Sequence, residues 1–63
     1  MTTLAVSVKT ASQMTEISDT VIRDAINKQT LPAYRVGRAI RIRVVDLDEW
    51  IAGLVRVGSE DDE

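Results

Sequence analysis

Leu31-Pro32-Ala33-Tyr34-Arg35-Val36-Gly37-Arg38-Ala39-Ile40-Arg41-Ile42 is the stretch on which the fold turns. Leu31-Pro32 ends the helical region before it, because the residue preceding a proline is pushed out of the αR conformation. After the proline the apolar period falls from 3.6 to two. Tyr34-Arg35-Val36 and Ile40-Arg41-Ile42 both alternate apolar and basic residues. Gly37 lies between these runs, so the stretch reads as a β-hairpin. A two-residue turn at Gly37-Arg38 would set Arg35 opposite Ile40, a charge facing a core residue. A three-residue loop, Gly37-Arg38-Ala39, sets Val36 opposite Ile40, Tyr34 opposite Ile42 and Arg35 opposite Arg41. Only odd loop lengths keep both apolar rows on one face. The three-residue loop is therefore expected, with a five-residue loop as the other odd solution, since Ala39 suits a left-handed position poorly. In that register Arg35 and Arg41 repel, at roughly 0.2–1 kcal/mol, and Arg38 adds a third charge at the tip. A phosphate backbone across the hairpin would neutralise them. The plainer reading is that arginine is a tolerated exposed residue.

Upstream of the hairpin the period is helical. Ser7 is an N-cap candidate for a helix over 8–15, in which Val8, Ala11 and Met14 recur at spacing three. Glu16-Ile17 interrupts it. Ser18 is a second N-cap candidate, with Asp19 in the first turn where negative charge suits the helix dipole. The helix expected over 19–28 places Ile22, Ala25 and Ile26 on one face. Thr20, Asp24 and Asn27 point away from that face at 100° per residue, and Arg23 flanks them. Two capped helices joined by so short a break describe a helix-turn-helix, a pattern shared with many αα-hairpins. Downstream, Leu47, Trp50, Ile51 and Leu54 follow i, i+3, i+4, i+7 and predict a third helix over 45–55. Its outer face carries Asp46, Asp48 and Glu49. Trp50 is the large ring available to close the core.

Sixty-three residues make one domain, and one that buries only about 60% of its unfolded surface. The chain contains no cysteine and no histidine. It therefore lacks a disulfide framework, thiolate or imidazole metal ligands, and the usual base of a nucleophilic triad. An enzyme is not expected, and neither is a cofactor, a metal or a small-molecule ligand. No run approaches the ~20 apolar residues of a membrane span, and no signal-peptide core opens the chain. A cytoplasmic binding module is the class that remains. The net charge of -2 conceals a separation. Residues 20–43 hold Arg23, Lys28, Arg35, Arg38, Arg41 and Arg43 against Asp24 alone, whereas Gly58-Ser59-Glu60-Asp61-Asp62-Glu63 holds four acids. A polyanion responds to the local patch rather than to the average.

The order helix, turn, helix, hairpin, helix, carried by particular strings, resembles the excisionase-like, MerR-like winged helix-turn-helix family. Those strings are Ser7-Val8-Lys9-Thr10-Ala11, Ile17-Ser18, Leu31-Pro32-Ala33-Tyr34-Arg35-Val36-Gly37-Arg38, Ile40-Arg41-Ile42 and Asp46-Leu47-Asp48-Glu49-Trp50-Ile51. The likeness covers about residues 4–54, and its specific parts are the wing and the closing helix. It implies an α+β, mostly helical fold: a helix-turn-helix, a two-stranded antiparallel β wing and a C-terminal helix. The chain then divides into an arm over 1–6, the winged domain over 7–56 and a disordered acidic tail over 57–63. The family often has glycine where this chain has Glu16 and Gln29, so Gln29 is expected to take a left-handed conformation without glycine's freedom. Its small stand-alone members are phage excisionases. These bind attachment-site DNA cooperatively, bend it and bias the phage integrase toward excision inside the bacterial host. A MerR-like transcriptional regulator on an operator is the alternative. A protein-interaction adaptor using the basic wing is a further one.

In the implied fold the second helix enters the major groove. Asn27 can bind adenine, Thr20 can touch a base or a thymine methyl, and Arg23 can reach guanine or a phosphate. Asp24 either accepts from cytosine or pairs with Lys28 at i+4. Ser18 completes the recognition-helix set. On the wing, Arg35, Arg38 and Arg41 hold phosphates, with Gly37 shaping a tip from which Arg38 probes the minor groove. The acidic tail either aids solubility, competes with DNA for the wing or touches integrase.

Overall fold

A computed structural model describes residues 3–55 and 57. The elements follow in the order β1 (Ala5–Val6), α1 (Val8–Thr15), α2 (Asp19–Asn27), β2 (Tyr34–Val36), β3 (Ala39–Arg43) and α3 (Val44–Ala52). Ser7 caps α1, its Oγ accepting the Thr10 N–H at 3.1 Å. Val8 and Ala11 are buried as expected, but Met14 is 54% exposed. A strict spacing of three drifts 60° off a 3.6-residue face at every step, so the third member of the series has left it. Ser18 caps α2 in the same way, accepting the Val21 N–H at 3.3 Å. Ile22 and Ala25 are buried and Ile26 is half-buried. Gln29 takes a left-handed φ of 63° just beyond α2. The chain there reverses, and the Thr30 and Leu31 N–H groups both reach the Ala25 carbonyl, at 2.9 and 3.3 Å. The reversal drives Leu31 into the core.

The hairpin forms in a register different from the one its apolar pattern predicts. Tyr34 pairs with Arg41, Arg35 with Ile40 and Val36 with Ala39, leaving a two-residue turn at Gly37-Arg38. Gly37 has φ +62° and Arg38 is not left-handed. Glycine at the first central position, with positive φ there alone, is the pattern of a type II′ hairpin turn, whose twist matches the flanking strands. The expectation of a single apolar face fails because β2 has no core to face: all three of its residues are exposed. Of the two hairpin strands, β3 is the one that meets the core, through fully buried Ile42 and half-buried Ile40. Arg35 and Arg41 consequently lie on opposite faces of the hairpin, and the predicted repulsion between them does not arise.

Ala5–Val6, at the end of the segment expected as an arm over 1–6, adds a short third strand to the two-stranded wing. Ala5 pairs with Arg43 and Val6 with Ile42, giving an antiparallel sheet of order β1-β3-β2. α3 begins directly after β3 and stops at Ala52, short of the expected Val55. The Gly53 N–H bonds back to the carbonyls of Glu49 and Trp50. Leu47 is buried and Trp50 packs half-buried against the core, whereas Ile51 and Leu54 remain largely exposed. The core is one cluster of Val6, Val8, Ala11, Ile22, Ala25, Leu31, Ile42 and Leu47. Of the acidic tail expected over 57–63, Val57 is exposed and residues 58–63 lie outside the described residues.

Candidate nucleic-acid interface

Placement of α2 begins in the turn before it. Glu16 ends α1 with a left-handed φ of 60°, its N–H bonded to the Ser12 carbonyl at 2.8 Å. The Ser12 hydroxyl donates to the Ile17 carbonyl at 2.6 Å. Thr15 donates its hydroxyl proton to the Ala11 carbonyl at 2.8 Å, and its Oγ1 accepts the Ile17 N–H at 3.2 Å. Two side chains of α1 thus hold both polar backbone groups of Ile17. Ser18 follows immediately as the cap of α2. With α1 packed directly on α2, the start of the second helix is fixed by hydrogen bonds below it and by Ile22 and Ala25 beside it.

The outward side of α2 carries two rows. Thr20, Arg23 and Asn27 form one, at spacings of three and four, and Val21, Asp24 and Lys28 form the other. All six side chains are exposed. The Lys28 Nζ lies 3.0 Å from Asp24 Oδ2, so the second row is internally neutralised, and among the described residues Arg23 has no ion-pair partner. Both partners of that pair are mostly in water, where such pairs contribute about 0–1 kcal/mol. A phosphate or a base can therefore displace either one at little cost. Ser18 is exposed, with its Oγ engaged in the cap.

The wing presents its cations in three directions. Arg38 is exposed at the tip, held out by the left-handed Gly37. Arg35 shares the face of Ile40 and Ile42, the side that meets the core, but lies beyond it in solvent. Arg41 and Arg43 share the opposite face with exposed Tyr34 and Val36. Arg41 is half-buried, and its Nη1 donates to the Ile40 carbonyl at 2.8 Å, which stiffens it along the strand.

Sequence reasoning missed three residues at this surface. Ser12 and Thr15 position α2 from below; a Ser/Thr pair three residues apart at the end of a helix, just before a second cap, was the available signal. Val21 is exposed among polar neighbours, a placement that follows from lying 100° from Ile22 on the helical wheel.

Two packed helices joined by a hydrogen-bonded turn, the second bearing a polar outward face, precede a basic hairpin and a closing helix. This is a small winged helix-turn-helix DNA-binding protein. The chain belongs to the helix-turn-helix domain family, whose profile matches residues 5–54. No curated protein and no solved structure matches it in the same comparisons. Among the described residues, no helix is long and apolar enough to cross a membrane.

Proposed function

We propose that this protein is a recombination directionality factor of the phage-excisionase type, which binds attachment-site DNA and steers an integrase toward excision. The sequence resemblance of the wing and closing helix points to that role. The observation that carries the DNA-binding geometry is the pairing of the polar row Thr20-Arg23-Asn27 with a hairpin whose arginines occupy both faces and the tip. In this reading α2 lies in the major groove, with Thr20, Arg23 and Asn27 at base edges and Ser18, Asp24 and Lys28 at their margin. The wing tip enters the adjacent minor groove. A hairpin with Arg35 on one face and Arg41 on the other then reaches the phosphates of both walls, while Arg38 probes the floor. That arrangement needs cations on opposite faces, as the two-residue turn supplies. Copies bind side by side on the site and together bend it, in the cytoplasm of the bacterial host.

A gel-shift titration on candidate attachment-site duplexes, with random DNA as competitor, tests the reading. Stepwise, steeply concentration-dependent shifts are expected. If Arg35 and Arg41 each neutralise one phosphate, a fourfold rise in salt weakens binding about 12-fold through these two contacts. Addition of the cognate integrase to an excision substrate completes the test. Specific binding without stimulation of excision would assign the protein to transcriptional regulation at an operator instead. No shift at low salt would leave the wing arginines to an acidic protein partner.

A further inference from the structure

We propose that Val21 is a specificity-determining residue that reads the C5-methyl group of a thymine. The inference rests on the groove placement of α2 given above and extends it to a residue whose chemistry differs from the rest of the face. Val21 is 50% exposed. It is the exposed apolar side chain of α2: Asp19, Thr20, Arg23, Asp24 and Asn27 are polar, Ile22 and Ala25 are buried, and Ile26 is half-buried. It also sits in the first turn of the helix, where the Ser18 Oγ accepts its N–H at 3.3 Å and holds its backbone in place. Recognition helices make their base contacts mainly from their N-terminal residues. Valine's stiff χ1 then presents two methyl groups in a defined direction.

Val21 is not part of the core, nor is it among the apolar side chains packed around it. A β-branched residue is also a poorer helix former than the alanine, lysine or glutamate that an exposed position would tolerate. Its neighbours on the same row, Asp24 and Lys28, neutralise each other at 3.0 Å. The row therefore offers an apolar end next to a charge-balanced pair, beside a second row made of hydrogen-bonding groups. Among base edges in the major groove, only thymine displays a methyl group, and small apolar side chains are the groups that contact it. The chemistry of the two rows thus divides the readout. Thr20, Arg23 and Asn27 select by hydrogen bonds, and Val21 selects thymine by burying a methyl group that cytosine and the purines lack.

The test removes single atoms from both sides of the contact. A preferred duplex is first selected from a random pool with the full chain, and each thymine in it is then replaced singly by deoxyuridine, which deletes only the methyl. One such replacement is expected to weaken wild-type binding about fourfold, the ratio equivalent to the ~0.8 kcal/mol of one buried carbon group. Val21→Ala is expected to bind the methylated site several-fold more weakly and to be indifferent to that same deoxyuridine. Circular dichroism of Val21→Ala at the assay temperature establishes that the variant is folded. Equal sensitivity of wild type and Val21→Ala to every deoxyuridine would overturn the assignment while leaving α2 in the groove. So would insensitivity of the wild type to all of them. A selection that returns no preferred sequence would instead overturn base readout by α2 altogether, and the proposal for Val21 with it.

Discussion

Gln29→Gly and Glu16→Gly are expected to stabilise the protein relative to Gln29→Ala and Glu16→Ala. The wild-type residues hold φ values of 63° and 60°. A side chain in the left-handed region brings its Cβ against the following carbonyl oxygen, at roughly 1–2 kcal/mol, and glycine is free of that contact. Alanine retains it. Part of the benefit is offset because glycine has more conformations to lose from the unfolded state, by about 0.4–1 kcal/mol. The net glycine-over-alanine advantage is therefore about 1 kcal/mol at each site, or about 4–8 °C in Tm for a domain of this size. Neither substitution disturbs the backbone hydrogen bonds at these positions, from Glu16 N–H to Ser12 and from Gln29 N–H to Ile26. Gln13 is the control. It is exposed within α1, where φ is helical, and there glycine should be about 1 kcal/mol less stable than alanine. Thermal unfolding followed by far-ultraviolet circular dichroism on the full chain reads all six variants. The signature is a reversal of the glycine/alanine order between Gln13 and the two turn positions. Alanine equal to or better than glycine at Gln29 would refute the left-handed reversal after α2.

Ser12→Ala removes the hydroxyl that holds the Ile17 carbonyl at 2.6 Å and is expected to lower unfolding stability by about 1 kcal/mol in urea titration. Gly37→Ala should also destabilise by about 1 kcal/mol. Nothing lies within 4 Å of the added Cβ, so the loss comes from the positive φ alone, and Gly37→Asn should recover part of it. On DNA, Arg38→Ala is expected to weaken matched and scrambled duplexes alike. Arg23→Ala or Asn27→Ala should cost about 1–3 kcal/mol on the matched duplex only. Equal losses on both duplexes in competition binding would remove base readout from α2.

Where burial fixes a residue's environment, its placement was legible in the sequence. Ser7 and Ser18 cap the helices they precede, because a hydroxyl one residue before an apolar-periodic run has orphan N–H groups to satisfy. Ile22, Ala25 and Leu47 are buried where the 3.6 period puts them. The left-handed Gln29 was legible from family glycines at the same place. Illegible were the residues whose placement depends on how far the core extends. Met14, Ile51 and Leu54 fit an apolar pattern, yet so small a core does not reach them. A pattern argument presumes a buried face along its whole length, and a chain of this size supplies such a face for only two turns of each helix.

The same presumption explains the hairpin, and there it alters the functional argument. Alternation in Tyr34-Arg35-Val36 suggested an apolar face shared with Ile40 and Ile42, but β2 projects beyond the core and its pattern exerts no pull on register. The turn decides instead. Gly37 as the first of two turn residues favours type II′, and the two-residue loop then carries Arg35 to one face and Arg41 to the other. The sequence had suggested a single cationic face held together against its own repulsion, suited to one phosphate strand. The observed wing separates its charges and avoids that penalty. If the wing docks as proposed, with cations on both sides and at its tip facing two phosphate walls, Arg35→Ala and Arg41→Ala should weaken binding independently, their free energies adding in a double variant.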